Sequence, residues 1–256
     1  MKTKNDWWFR FFNSPDYLTI YRDMTGPERT ERELDFCERV FAWKNGQPIL
    51  DAPCGAGRHS LVLAGRGHTV FGLDISAYLI QQAVRGAEHL PKKCVMPSFT
   101  RGLMQQNPFR SEMFDFVICM FSSYGYGENN DENLLIMKEF ARVLKKGGKV
   151  LIDVMNRHFI EPRLNCVYES EQAGLFVREE RTVLDNGRRL NNLITVTDDK
   201  GNKRSYLYRP WLFNGWELSL LATQAGLNVD RVYGNFDAEP YSNYSERAML
   251  AAYKPE

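Results

Sequence analysis

The stretch Ile49-Leu50-Asp51-Ala52-Pro53-Cys54-Gly55-Ala56-Gly57-Arg58-His59-Ser60 limits what this chain can become, because an apolar run stops there at an acid and enters a glycine-rich turn. The pattern reads as strand, loop and helix. A buried parallel strand ending in small residues leaves backbone N–H groups free at the mouth of a helix, which is a cradle for a polar ligand. Gly55 and Gly57 allow close backbone approach, and Asp51 adds a fixed acceptor. A second apolar run, Thr69-Val70-Phe71-Gly72-Leu73, ends in Asp74. That acid falls about twenty residues beyond the glycines, where a carboxylate at a strand tip can hold both hydroxyls of a ribose. The ordinary dinucleotide fingerprint is not met: Ser60 stands where its third glycine belongs, and an acid precedes the turn.

Asp51-x-x-x-Gly55-x-Gly57 with Asp74 behind it resembles motif I and the following acidic residue of the class I S-adenosylmethionine-dependent methyltransferases. The likeness continues. Residues 114–120 read as a buried strand, 132–145 as an amphipathic helix, and Lys145-Lys146-Gly147-Gly148 as the turn into a strand over 149–155, so the match runs from 48 to 156 without a gap. The resemblance implies an α/β fold: a Rossmann-like, doubly wound seven-stranded sheet with its last strand antiparallel. It also implies S-adenosylmethionine as cofactor and S-adenosylhomocysteine as product. Carried over, it places Asp51, Ala52, Pro53, Cys54, Gly55, Gly57 and Arg58 of the turn, Asp74 and Ile75, and Met120 around that cofactor, with Tyr21 reaching its carboxylate. The loop over 102–109 carries, in the family, an acid for the adenine amino group. Leu103 occupies that place here, leaving Leu103 and Met104 to pack on the base.

Ligands of such sheets bind at the carboxyl ends of the strands. The [N/D]-P-P-[Y/F] tetrapeptide of many nucleic-acid and protein methyltransferases is missing after the 114–120 strand. Phe121-Ser122-Ser123-Tyr124-Gly125-Tyr126-Gly127 replaces it, which resembles small-molecule enzymes such as the sugar N-methyltransferases. Tyr126, Arg157, Tyr208, Arg209 and Trp211 are the candidates for contact with the acceptor, and His158 and Tyr124 are candidates for a base, although no catalytic residue is fixed. An amine that arrives unprotonated needs no base; a hydroxyl or phenol often does. Arg157 and Arg209 suit a carboxylate or phosphate, or equally an internal partner such as Asp153 or Glu161. The reading is methyl transfer by in-line displacement to a nitrogen or oxygen of a small molecule. The alternatives are a tRNA, rRNA or protein methyltransferase and, further off, a nicotinamide-dependent oxidoreductase.

Thirty-three basic against thirty-two acidic residues give a formal charge of +1, which argues against a large nucleic-acid footprint. Five scattered cysteines without C-x-x-C spacing read as free thiols of a reducing cytoplasm, with no zinc or other metal site. No signal-peptide h-region and no span-length apolar stretch is found, so no membrane partner is expected.

Three units are expected: residues 1–46 as an N-terminal helical lid, 47–160 with 210–256 as the cofactor-binding domain, and 161–209 as an inserted antiparallel β subdomain. The first is rich in aromatics, Trp7, Trp8, Phe9, Phe11, Phe12, Tyr17 and Tyr21, which serve either as a helix face packed on the domain or as a cover over the cofactor. A helix follows over 27–43. Helices over 77–89 and 214–224, and strands over 94–100, 227–233 and 248–253, complete the main domain. His59 is assigned a backbone role at a helix start, and His68 a solvated turn. In the insert, strands are read over 174–184, 189–197 and 203–208, with Asn186-Gly187 as a hairpin turn. Hairpins need a partner surface. The insert therefore walls the substrate pocket or joins two copies as a homodimer.

Overall fold

The computed structural model describes residues 7–256. The side chains of Trp7 and Trp8, counted above among the aromatics, lie outside that description. The described residues open with three α-helices, α1 (Trp7–Phe12), α2 (Pro15–Ile20) and α3 (Pro27–Phe41). Pro27 suits the first turn of α3 because its fixed φ is helical and its missing N–H has no helical partner. Left-handed Ala42 ends that helix before the Asn45-Gly46 turn. Next come β1 (Pro48–Asp51), α4 (Arg58–Gly65), β2 (Thr69–Asp74), α5 (Ala77–Ala87), β3 (Ser98–Arg101) and β4 (Phe114–Cys119). The Ser76 hydroxyl caps α5 by accepting from Leu79 N at 3.1 Å. Then follow α6 (Asn130–Val143), β5 (Leu144–Met155) and the one-turn α7 (Arg157–Ile160). The 132–145 helix thus starts earlier, at the Asn129 cap, and yields its last residues to β5.

The insert holds one strand more than the pattern predicts: β6 (Cys166–Gln172) precedes β7 (Leu175–Leu184), β8 (Arg189–Thr197) and β9 (Lys203–Tyr208). β6 is an edge strand with almost every residue exposed, so it lacks the apolar alternation by which strands are read. The chain closes with α8 (Gly215–Gln224), β10 (Asn228–Tyr233) and β11 (Arg247–Tyr253).

Seven strands form one sheet in the order β10-β11-β5-β4-β1-β2-β3, with β11 antiparallel to both of its neighbours. β1 pairs in parallel with β2 and β4. Burial on both sides explains its unbroken apolar run. One core lies between the sheet and α6 and α8, around Phe114, Met137, Phe140 and Leu218; the other lies under α3, around Leu34, Phe36, Ile49 and Leu151.

The other four strands make a separate antiparallel sheet, β6-β7-β8-β9. Cross-strand neighbours share a face, and Val177, Ile194, Val196 and Tyr206 of its inner face meet Phe11, Phe12 and Ile20 of the N-terminal helices. Asp16 of α2 fixes this contact, accepting from Arg204 at 2.8 Å and from the Tyr206 hydroxyl at 2.7 Å. The partner surface that the hairpins require is thus supplied within the chain. The insert rejoins the main sheet at its carboxyl edge, where Trp211 N donates to Gly125 O at 2.8 Å and Phe213 bridges to Asn156.

Candidate cofactor cleft

Asp51 ends β1 fully buried, and its Oδ2 accepts from the Ser60 hydroxyl at 2.6 Å. Ser60, in the position of the missing third glycine, is therefore the donor that fixes the acid preceding the turn. Oδ1 of Asp51 is buried and unpartnered among the described residues, and burial raises its pKa. Asp51 and Ala52, whose N–H closes β1 onto Ile118 O at 2.9 Å, shape the turn from behind rather than form the cleft wall.

Gly57 sits at φ +82°, where a Cβ would meet the Ala83 Cβ at 2.9 Å and the Phe99 ring at 3.1 Å. Gly57→Ala is expected to destabilise the protein by about 1–3 kcal/mol through left-handed strain and this clash, read as a lower urea midpoint with unchanged slope.

The turn opens on a cavity of about 160 Å³. At roughly 10–15 Å³ per water by this measure, that is room for a nucleoside-sized ligand rather than for one buried water. Asp74, at the tip of β2, stands in its wall: Oδ2 accepts from Gly55 N at 2.9 Å and Oδ1 from Ser76 N at 2.8 Å. Burial pushes its carboxyl up to about 6, against the pull of those two N–H bonds. A carboxylate has about four acceptor sites, so two remain for a ligand. Pro53, Cys54, Gly55, Arg58, Ile75 and Met120 share this wall with Asp74, and Leu103 and Met104 close the end beyond β3.

Phe12, Tyr17 and Tyr21 cover the cavity. The Tyr21 ring meets Phe121 edge-on at 5.9 Å, and burial holds its phenol well above its usual pKa, so it stays a donor. The aromatic segment therefore serves both roles weighed from the sequence, packing on the insert and covering the cleft.

Behind the turn lies a buried charge cluster that spacing alone does not reveal. Glu33, fully buried on α3, accepts from Arg29 at 2.8 Å through Oε1, and its Oε2 meets Arg58 at 2.5 Å and His59 at 2.8 Å. Burial works against the charge, but the His59 and Arg58 contacts hold the Glu33 carboxyl well below the usual range. His59 thus has a side-chain role in the cleft wall. Glu33 falls inside the buried stripe Thr30, Leu34, Cys37, Phe41, and a charge in that position was the signal available. Arg58 keeps one guanidinium nitrogen, Nη2, buried and unpartnered among the described residues. An orphaned cationic donor in a wall that also offers Asp74 fits a ligand carrying a carboxylate and a ribose.

Arg29 and Arg58 also stack on Phe121 at 5.1 and 5.3 Å. Phe121 and Ser122 are left-handed at φ 59° and 58°, a strain held by Asp153, which accepts from Phe121 N and Ser122 N at 2.9 Å each and pairs with Arg247.

Several predicted residues stand elsewhere. Tyr124 is in the core, donating to Asn133 O at 2.7 Å. His158 Nε2 faces the Asn214 amide at 3.1 Å and Arg157 pairs with Glu217 at 2.9 Å, so both serve the start of α8. Arg209 donates to Asn191 at 2.6 Å, and the Trp211 ring lies under Arg189 at 5.5 Å. None of these five lines the cavity. Tyr126 does, and Tyr208 stands behind it with the two hydroxyls 3.4 Å apart. His68 is buried against Trp43, not solvated. No cluster able to hold a metal ion is found among the described residues.

Residues 49–148 match the family model described as a methyltransferase domain. A demethylmenaquinone methyltransferase of Bacillus mycoides is 31% identical over 117 residues, 44% of this chain and 46% of that protein, so the chain spans about half the length of such curated relatives. Among solved structures, a methyltransferase of Streptomyces caelestis superposes with a TM-score of 0.82 over 98% of this chain and 100% of that one, at 18% identity. An amino pentose methyltransferase of Micromonospora echinaspora, with S-adenosylmethionine bound, gives 0.68 over 94% and 97% at 20% identity. Residues 49–148 are thus similar to a methyltransferase domain, and the chain as a whole has the fold of these solved methyltransferases.

Proposed function

We propose that the protein transfers a methyl group from S-adenosylmethionine to a nitrogen or oxygen of a small molecule by in-line displacement. The observation that carries this reading is Asp74, a buried carboxylate in the cleft wall, tied to the glycine turn and left with acceptor capacity for two ribose hydroxyls. Bound S-adenosylmethionine supplies a methyl group already activated on a sulfonium, so the protein has to align and shield more than to activate. Asp74 holds the ribose, and Arg58 Nη2 with the Tyr21 hydroxyl holds the carboxylate. Ile75, Leu103 and Met104 give the base an apolar seat. The cover of Phe12, Tyr17 and Tyr21 excludes water from the reacting end.

Ser123 and Tyr126 line the cavity near Phe121, and they suit an acceptor bearing hydroxyl or amine groups. A base is not required if that acceptor is an amine. The near-neutral chain and the aromatic wall favour a small molecule over a polyanion. The amino pentose methyltransferase named above supports the same class. The cytoplasm suits five cysteines that are all free.

The test is a thermal shift of the purified protein with S-adenosylhomocysteine and, separately, with NAD. A native-state ligand at a hundred times its Kd adds about 2.7 kcal/mol, which is a visible rise in Tm. A rise with S-adenosylhomocysteine alone is expected. A rise with NAD alone would make the glycine turn a dinucleotide site and end the methyltransferase reading.

A further inference from the structure

We propose that Gln105 reads the edge of the bound base, and that its amide lets the cleft take a 6-oxopurine nucleoside nearly as well as an adenine nucleoside. The inference rests on the cofactor reading above. Asp74 at the tip of β2 fixes the ribose, and the turn after β1 with Arg58 takes the carboxylate side. The base must then extend toward the tip of β3, where residues 102–106 pass through a single 3₁₀ turn, Met104–Gln106.

Four residues of that passage face the cavity: Gly102, Leu103, Met104 and Gln105. Leu103 and Met104 can cover the faces of a purine but offer its edge no side-chain hydrogen bond. Gln105 is the polar side chain of the set, and it makes no hydrogen bond with another described residue. The turn that carries it is held in place. Asn107 N donates to Glu139 at 3.0 Å and Asn107 O accepts from Arg142 at 2.9 Å, both on α6.

An amide presents one acceptor beside one donor. In one orientation these match the amino hydrogen and ring N1 of adenine; turned over, they match O6 and N1–H of a 6-oxopurine. A carboxylate in this region accepts only, so it suits the amino group and repels O6. Leu103, by removing the acid at the neighbouring place, leaves the reversible amide in charge of the edge.

Calorimetric titration of the wild-type protein with S-adenosylhomocysteine and S-inosylhomocysteine tests this. The two Kd values are expected to agree within about threefold, less than the discrimination of one good bidentate pair. Gln105→Ala should weaken both by about tenfold, the low end for losing such a pair. Gln105→Glu should restore preference for the adenine ligand by about tenfold or more. Wild-type rejection of the inosine ligand by more than about tenfold, or no change in Gln105→Ala, overturns the proposal. If S-adenosylhomocysteine binds normally throughout, only the role of Gln105 falls; if it never binds, the cofactor reading falls too.

Discussion

Asp74→Ala is expected to weaken S-adenosylhomocysteine binding by about a hundredfold or more, since each hydrogen bond to a charged group contributes about 1.5–3 kcal/mol and a ribose makes two. The free protein should also lose some stability, because the N–H groups of Gly55 and Ser76 lose their acceptor. Titration well below the variant's thermal midpoint, beside a separate thermal melt without ligand, separates the two effects. An unchanged Kd would remove the ribose from this site.

The same carboxyl gives the cleft a pH dependence with a definite sign. Burial raises Asp74 to about 6. The ribose hydroxyls donate to the ionised form, so affinity should be level above about pH 6 and fall by up to about tenfold per unit below it. Stability of the free protein runs the other way for this group. A carboxyl raised in the folded state contributes stability that is fully present below its usual value of 3.8 and is lost as pH rises through about 6. Asp74→Asn should flatten both profiles.

The parts of this site legible from the sequence are those set by backbone geometry. Gly57 must be glycine because the chain turns left-handed against Ala83, and Asp74 must follow an apolar run because it ends a strand paired on both sides. Motif spacing records such constraints directly. Side-chain direction past a strand end is a different matter. Arg157 and His158 stand directly after β5, as acceptor-binding residues should, yet Asn156 starts a helical turn that swings both toward Glu217 and Asn214 at the head of α8. Tyr124 and Tyr126 are two residues apart, but the left-handed pair Phe121 and Ser122 re-aims the loop, sending Tyr124 into the core and Tyr126 to the cavity. That bend depends on Asp153 and Arg247, more than thirty and a hundred residues away in the chain. The β insert was readable where an inner face is apolar, as in β8, and not where an edge strand is exposed on both faces, as in β6.

Glu33→Ala is expected to have the largest effect on stability, about 3–5 kcal/mol, because it leaves the largely buried Arg58 guanidinium and the buried His59 ring without the carboxylate that satisfies them. Glu33 joins α3 to the head of α4, and its loss strands His59 and Arg58 in the wall of the cleft. The fall in Tm should be roughly 10 °C for a chain of this size. Glu33→Gln should cost less, since the amide oxygen still accepts from one partner. The acid side distinguishes the two variants from a simple packing defect. The Glu33 carboxyl is depressed in the folded protein, so its stabilisation is fully present above its usual value of 4.5 and is lost as pH falls below it. Both variants should lack that part of the acid-side decline. The second readout is the ligand: Arg58 Nη1 is fixed by Glu33 and Thr30, and its Nη2 is the orphaned donor of the cleft. With Glu33 gone, S-adenosylhomocysteine should bind more weakly even at a temperature where the variant is fully folded. If stability falls while the Kd stays the same, Arg58 does not hold the ligand carboxylate, and the cluster serves the fold alone.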